Sequence, residues 1–245
     1  MTAIDVRTFK NTDLTGTDIV VAVPSVGLAS TIAATYLITT LDTDQIAAFD
    51  SDEFPPLSMV YARRPKFPVR VYHAEKEKLS IFICEVPLAT KTHRPLGRTL
   101  LEWARARAAR RIICLEGLPL PAEQAAQEID VWAVGSTDEA RGDIEAAGLP
   151  FLETGMVAGV AGVVLNEGRW GGHNVIALLG EARPYLPDAA AAARLVEAAD
   201  KLLPHVKIDL APLLNQAKEL EGHIQALKEQ AKPVTRETAP DSYYR

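Results

Sequence analysis

Two junctions in this chain hold residues whose types could do chemistry. In "VPSVGLA", Pro24, Ser25 and Gly27 fall where an apolar strand-like run gives way to a helical pattern, the place at which open α/β sheets bind ligands. A serine there is a candidate nucleophile, and the helix start behind it could hold an anion. Ser25 is not framed by G-x-S-x-G, the elbow that presents such a serine for attack. Making the turn and capping the helix is the competing role. In "LLGEARPYLPD", Glu181 ends a second strand-like run and is the best acidic candidate. Its competing role is to bond the loop backbone or Arg183, as buried polar groups require partners.

Other chemistries lack their residues. Zinc needs convergent nitrogen or sulfur ligands. His73, His93, His173, His205 and His223 are scattered, with no two at i, i+2 or i, i+4, and Cys84 and Cys114 form no C-x-x-C. Both cysteines lie in apolar runs and are expected as buried free thiols rather than a disulfide. The stretch "GMVAGVAGVVLNEGRWGG" matches neither the P-loop nor the dinucleotide fingerprint, which rest on fixed glycine spacings around a helix start. Gly155, Gly159 and Gly162, at spacings of four and three, predict instead a helix bared on one face for close packing. The expectation is therefore a protein without a catalytic signature, metal or cofactor. A metabolic hydrolase or transferase using the Pro24–Gly27 crevice is the competing one.

The elements that must position these residues alternate. "DIVVAVP" reads as a buried strand, followed by "VGLASTIAATYLITTL" with helical spacing through Leu28, Ile32, Leu37 and Leu41. "VRVYHA" and "LSIFICEV" flank the charged tip "EKEK" of a hairpin. A helix opening near Pro95 feeds the strand "RIICLEGL"; the strand "DVWAVGS" precedes a short helix stopping at Gly148. The strand "VIALLGEA" leads to a helix capped by Asp188. Strands separated by helices predict an α/β layered fold on a mixed, largely parallel sheet.

Composition agrees with a folded, soluble chain. Hydrophobic residues are 48% and charged residues 24%, with a net charge of −6 and no long basic block, which speaks against a sequence-blind nucleic-acid binder. Arg105, Arg107, Arg110 and Arg111 end a predicted helix, where cations complement its dipole. The run "MVAGVAGVVL" is too short to span a bilayer, and "MTAIDVRTFK" has no signal-like core, so no membrane association and a cytoplasmic location are expected.

Beyond a core domain at 1–208, "DLAPLLNQAKELEGHIQALKEQA" predicts a helix over 209–231 with Asp209 as N-cap. Leu213, Ala217, Leu220, Ile224, Leu227 and Ala231 form a heptad seam, narrow enough to lie on its own domain or on a neighbouring subunit. Residues 232–245, with Pro233 and Pro240, read as an extended tail ending in Tyr243, Tyr244 and Arg245.

Taken together, several of these pieces resemble the proteasome assembly chaperone family of archaea and actinobacteria. They are the glycine-rich Gly159 to Leu165, the strand ending in Gly180-Glu181, and the helix start from Pro187-Asp188 to Ala192. "VVAVPSVGLASTIAATYLI" and "ICLEGLPLP" are similar to the family's first strand–turn–helix and its central strand and loop, so the resemblance runs from about Asp18 to Glu221.

The resemblance implies a phosphorylase/hydrolase-like three-layer sandwich, a mixed, mostly parallel sheet with helices on both faces. It also implies a homo-oligomeric, ATP-independent chaperone or adaptor that binds proteasome α subunits. Family members end in hydrophobic–tyrosine–any residue, which docks between adjacent α subunits; here the matching positions are Tyr243, Tyr244 and Arg245. A tyrosine ring brings large apolar area with little rotamer entropy, and a terminal carboxylate suits a lysine or a nest of backbone N–H groups. An incidental terminus and an oligomeric scaffold for another client are the remaining readings.

Overall fold

In the computed structural model, residues 3–119, 131–184 and 186–215 are described. Four apolar runs become its central strands: β2 (Asp18–Ala22), β7 (Leu79–Cys84), β8 (Arg111–Pro119) and β10 (Val175–Ala182). They are parallel neighbours in the order β7-β2-β8-β10. Buried on both faces, such strands lose the polar alternation of a surface sheet, which makes them legible as runs.

Antiparallel strands complete the eight-stranded sheet. β1 (Asp5–Thr8), β3 (Asp44–Asp50) and β6 (Val69–Ala74) extend it beyond β7, and β9 (Val131–Gly135) pairs with β10 at the other edge. The β6–β7 hairpin is as the sequence predicts. β1, β3 and a separate small hairpin, β4 (Met59–Tyr61) with β5 (Arg64–Lys66), are additions to the predicted elements.

Period-two side-chain alternation builds two cores. Val20, Ile113, Leu115, Ile176 and Leu178 face α1 (Ala29–Thr40), α3 (Asp138–Ala146) and α5 (Ala189–Leu202). Ile19, Val21, Ile112, Cys114, Ala177 and Leu179 face α2 (Thr90–Ala106) and α4 (Gly159–Gly171). The result is the expected three-layer α/β sandwich with helices on both faces. Cys84 and Cys114 are free thiols inside the second core. Burial pushes the Cys84 thiol up to about 12 and the Cys114 thiol higher still, so neither is a reactive thiolate.

Two local expectations are corrected. α2 opens at Thr90, not near Pro95, which sits in its second turn. The glycine stripe does not exist as one face: Gly155 precedes the helix, and Gly159 begins α4 with φ of +67°. Only Gly162 lies inside the helix, where a Cβ would overlap the Val157 carbonyl oxygen. Close approach of the two helices on that face is provided by Gly97 of α2, whose Cβ would stand 2.8 Å from Val163 Cγ1. No helix among the described residues is long and apolar enough to cross a membrane.

Candidate interaction groove beside the first helix

The strand-to-helix junction singled out from the sequence is a knot of backbone contacts. After β2 the chain passes Pro24 and Ser25 into a single 3-10 turn, Val26–Leu28, before α1 begins. Gly27 and Leu28 both adopt left-handed backbone, with φ of +63° and +51°. Glycine takes that conformation without penalty, and at 27 the space demands it as well. A Cβ there would lie 2.9 Å from Asp188 Cβ and 3.0 Å from the Arg183 carbonyl oxygen. The Gly27 carbonyl accepts the Asp188 N–H at 2.8 Å, tying the turn to the start of α5.

Ser25 is used structurally. Its Oγ accepts the Gly117 N–H at 3.0 Å and lies 2.8 Å from Ser30 Oγ, which donates to the Val23 carbonyl at 2.6 Å. With the Ser30 proton on Val23, the Ser25 proton goes to Ser30, and no histidine belongs to this network. The predicted capping role is corrected too, because Ser25 Oγ makes no bond to the following turn. It pins β8 to the β2 exit instead.

Glu181 lies half-buried near the end of β10, opposite Leu118. The acid that organises the neighbouring loop is Asp188, which sequence reasoning identified only as a helix cap. It is buried, and it accepts from the Arg183 backbone N–H at 2.9 Å, from Arg183 Nε at 2.9 Å and from a terminal guanidinium nitrogen at 3.0 Å. It also caps α5 through the Ala191 N–H at 3.1 Å.

Burial by itself would raise the Asp188 carboxyl, but the Arg183 and Ala191 bonds outweigh it and hold the group below its ordinary value. A carboxyl lowered in the folded state contributes stability that is complete above its unfolded value, about 3.9. That contribution fades as pH falls through the lower folded value. Asp188→Asn should cost about 2 kcal/mol at pH 7 and flatten the loss of stability below about pH 4, as read by urea titrations across pH. An unchanged acid limb would remove Asp188 from this role.

Pro24 and Leu28 also form one end of a groove of about 490 Å³. Its long wall is the outward side of α1, with Leu28, Ile32 and Tyr36 separated by threonines. Met59, Glu85 and Leu213 complete its lining. The wall carries no charge: none occurs from Ile19 to Leu41. Leu28 is 46% exposed, and beside the groove Val60 and Tyr61 are 69% and 42% exposed. The β4–β5 hairpin bearing them turns through Ala62 and Arg63, both at positive φ, where asparagine and glycine are the low-cost residues. Tyr61 donates to Glu85, and Arg70 pairs with Glu85 while lying 5.2 Å over the Tyr61 ring. The strained hairpin is thus braced on the sheet.

The structure therefore brings Gly27 against Ala182 and Arg183, the two residues after Glu181, and Ser25 against Gly117 and Ser30. The predicted helix over 209–231 is described only to residue 215, where 211–215 are helical and Asp209 Oδ1 accepts the Ala211 N–H at 3.0 Å. Tyr243, Tyr244 and Arg245 lie outside the described residues. Sequence reasoning missed the groove. Its one local signal was the uncharged stretch through α1, since a surface helix ordinarily carries charge on its outer face.

A three-layer α/β sandwich with a serine committed to backbone and an apolar concavity alongside it has the equipment of a binding protein. A model of the PAC2 family matches residues 19–228, and the chain belongs to that family. Among solved structures it is similar to Pyrococcus furiosus PbaA, described as an archaeal homolog of proteasome-assembly chaperone. The identity is 28%, the TM-score 0.82, and 92% of each chain is covered. It shares the fold of P. furiosus PbaB, an archaeal proteasome activator, at 22% identity and a TM-score of 0.77, covering 93% of this chain and 100% of that one. "Uncharacterized protein MJ0106" of Methanocaldococcus jannaschii is 23% identical over 212 residues, 86% of this chain and 85% of its own.

Proposed function

We propose that this chain is a proteasome assembly chaperone or activator, a binding protein rather than an enzyme. The observation that carries the reading is the PAC2 match together with 28% identity to PbaA across 92% of both chains. The junction supports it, since Ser25 is engaged with Gly117 and Ser30 and has no basic partner in its network.

In this reading the protein works without ATP as a homo-oligomer, and its partners are proteasome α subunits. Tyr243, Tyr244 and Arg245 dock between adjacent α subunits, ring first, with the terminal carboxylate captured by cationic or backbone N–H groups. A random coil as long as residues 232–245 has a reach on the order of 20 Å. One short tail binds weakly because ordering it costs free energy; several tails on one oligomer raise binding by roughly 10²–10⁴ where their spacing fits the ring.

Deleting Tyr243–Arg245 is expected to abolish co-sedimentation with purified α rings without nucleotide, while the oligomer's mass in solution stays the same. Undiminished co-sedimentation of the shortened chain would refute tail docking. Failure of the intact chain to bind α rings at all would refute the proteasome reading.

A further inference from the structure

We infer that the groove beside α1 is a docking site for an amphipathic helix of a partner protein, one that carries acidic residues beside its apolar stripe. The wall has a form that suits a helix. Leu28, Ile32 and Tyr36 make one row along α1 and Thr31, Thr35 and Thr39 a second, each at a spacing of four. Such rows are the ridges between which the side chains of another helix pack. From Leu28 to Tyr36 is eight residues, or about 12 Å at 1.5 Å per residue, room for about two turns of a visiting helix. Tyr36 donates its hydroxyl to the Asp209 carbonyl, which ties that end of the wall to its own subunit, while Leu28 at the other end is exposed.

The charge lies at the exposed end. Glu85 follows β7 and Pro24 follows β2, which are parallel neighbours, so the β4–β5 hairpin braced on Glu85 stands at the end of the sheet where α1 begins. From Phe54 to Ala74 the chain carries Arg63, Arg64, Lys66 and Arg70 and no acidic residue, although its net charge is −6. Lys66 and Arg70 are engaged, with the Tyr72 hydroxyl and with Glu85. The side chains of Arg63 and Arg64 are exposed and make no ion pair or hydrogen bond among the described residues. Leu57, Val60 and Tyr61, close by in the chain, are exposed too. An uncharged apolar wall with two unpaired arginines near it is complementary to an apolar ridge flanked by carboxylates. Two-fold self-pairing suits it poorly, since each pair of arginines would approach its own copy.

Backbone strain is a separate observation at the same place. Ala62 and Arg63 hold positive φ at the hairpin tip, a conformation that is unfavourable for such residues and persists where surrounding contacts enforce it, ligand clamps among them. The contacts of Tyr61 and Arg70 with Glu85 supply that enforcement. The arginines are thus presented on a braced turn, which lowers the ordering cost of binding.

The test uses the full chain and a panel of fluorescent synthetic helix-forming peptides of about four turns. Their apolar stripe at i, i+4 and i+7 is varied among Leu, Ile, Met and Phe, and the flanking positions are Glu in one half of the panel and Lys in the other. By anisotropy, the Glu half is expected to contain binders that exceed their Lys counterparts about tenfold in affinity, a comparison that needs no variant. Leu28→Asp and Val60→Asp are each expected to weaken the best Glu peptide about tenfold, and Arg63→Glu/Arg64→Glu to invert the Glu–Lys preference. Met156→Asp, at an exposed site before α4 on the other face of the sheet, is expected to change nothing. Deleting Tyr243–Arg245 is expected to leave peptide binding unchanged, so this inference and tail docking fail separately. No binding to any peptide, a preference for the Lys half, or an equal loss in Met156→Asp would overturn the inference. So would a fall in the mass of the chain in solution on Leu28→Asp, which would give the groove to a second copy.

Discussion

Replacing Arg111 with methionine is expected to lower unfolding free energy by about 3 kcal/mol, toward the range seen when one partner of a buried ion pair is removed. Arg111 opens β8 and is buried, yet its guanidinium bonds three acceptors from distant parts of the chain. They are Asp18 Oδ2 at 3.0 Å, Asp143 Oδ2 at 2.5 Å and the Leu202 carbonyl at 2.6 Å. β2, α3 and α5 thus converge on one cation. Methionine fills the volume but leaves the buried Asp18 carboxylate with less compensation and the α5 carbonyl without its donor.

Two features keep the expected loss from being larger. Arg110 also bonds Asp18, with Nε 2.9 Å from Oδ1, and Arg111 Nε is itself buried without a partner among the described residues. Arg110→Met, at a partly exposed position, should cost about 1 kcal/mol or less. Urea titration of both variants checks the ordering. Equal, small losses would mean that Arg111 is an ordinary surface-like pair.

Gly117→Ala is expected to destabilise by about 3 kcal/mol, the upper part of the range for overpacking. For a chain of this size that corresponds to a fall in melting temperature of roughly 6–12 °C. A Cβ at 117 would enter the space of the Val26 carbonyl oxygen and stand 3.1 Å from Ser25 Oγ. Neither neighbour is a free side-chain end. Val26 is in the turn that presents Leu28 to the groove, and Ser25 Oγ is held by the Gly117 N–H itself. Relief requires β8 to move away from the β2 exit, breaking that bond. Gly142→Ala in α3 is the control: no atom lies within 4 Å of its Cβ position, so the helix should gain up to about 1 kcal/mol. A Gly117→Ala melt within 2 °C of wild type, on the order of 1 kcal/mol or less, would show that the junction yields.

The parts of this fold legible in sequence are those whose burial is complete. β2, β7, β8 and β10 are unbroken apolar runs because both faces of each are covered. β1 is exposed along most of its length and offers no alternation to read, while the middle of β3, "IAAF", leans on alanine, a poor strand former. The glycine spacing at 155, 159 and 162 is helical arithmetic applied before the helix begins, and the left-handed Gly159 ends it. The Pro24–Gly27 junction is legible because a strand-to-helix switch is local. The groove beside it is not, because Pro24, Met59, Glu85 and Leu213 meet only through the tertiary fold. Asp188 illustrates both cases: its cap to Ala191 follows from spacing, whereas its hold on Arg183 depends on a loop that doubles back.

One outer margin of the sheet is plugged. At the centre of β9, Ala133 donates its N–H to the Pro150 carbonyl at 2.8 Å and accepts the Leu152 N–H at 3.1 Å. An incoming strand would find those hydrogen-bonding sites taken, which is how native proteins discourage runaway fibrillar stacking at a free border. Strand-by-strand growth of the sheet is therefore blocked at the middle of β9, and copies meeting this flank there would touch it through side chains.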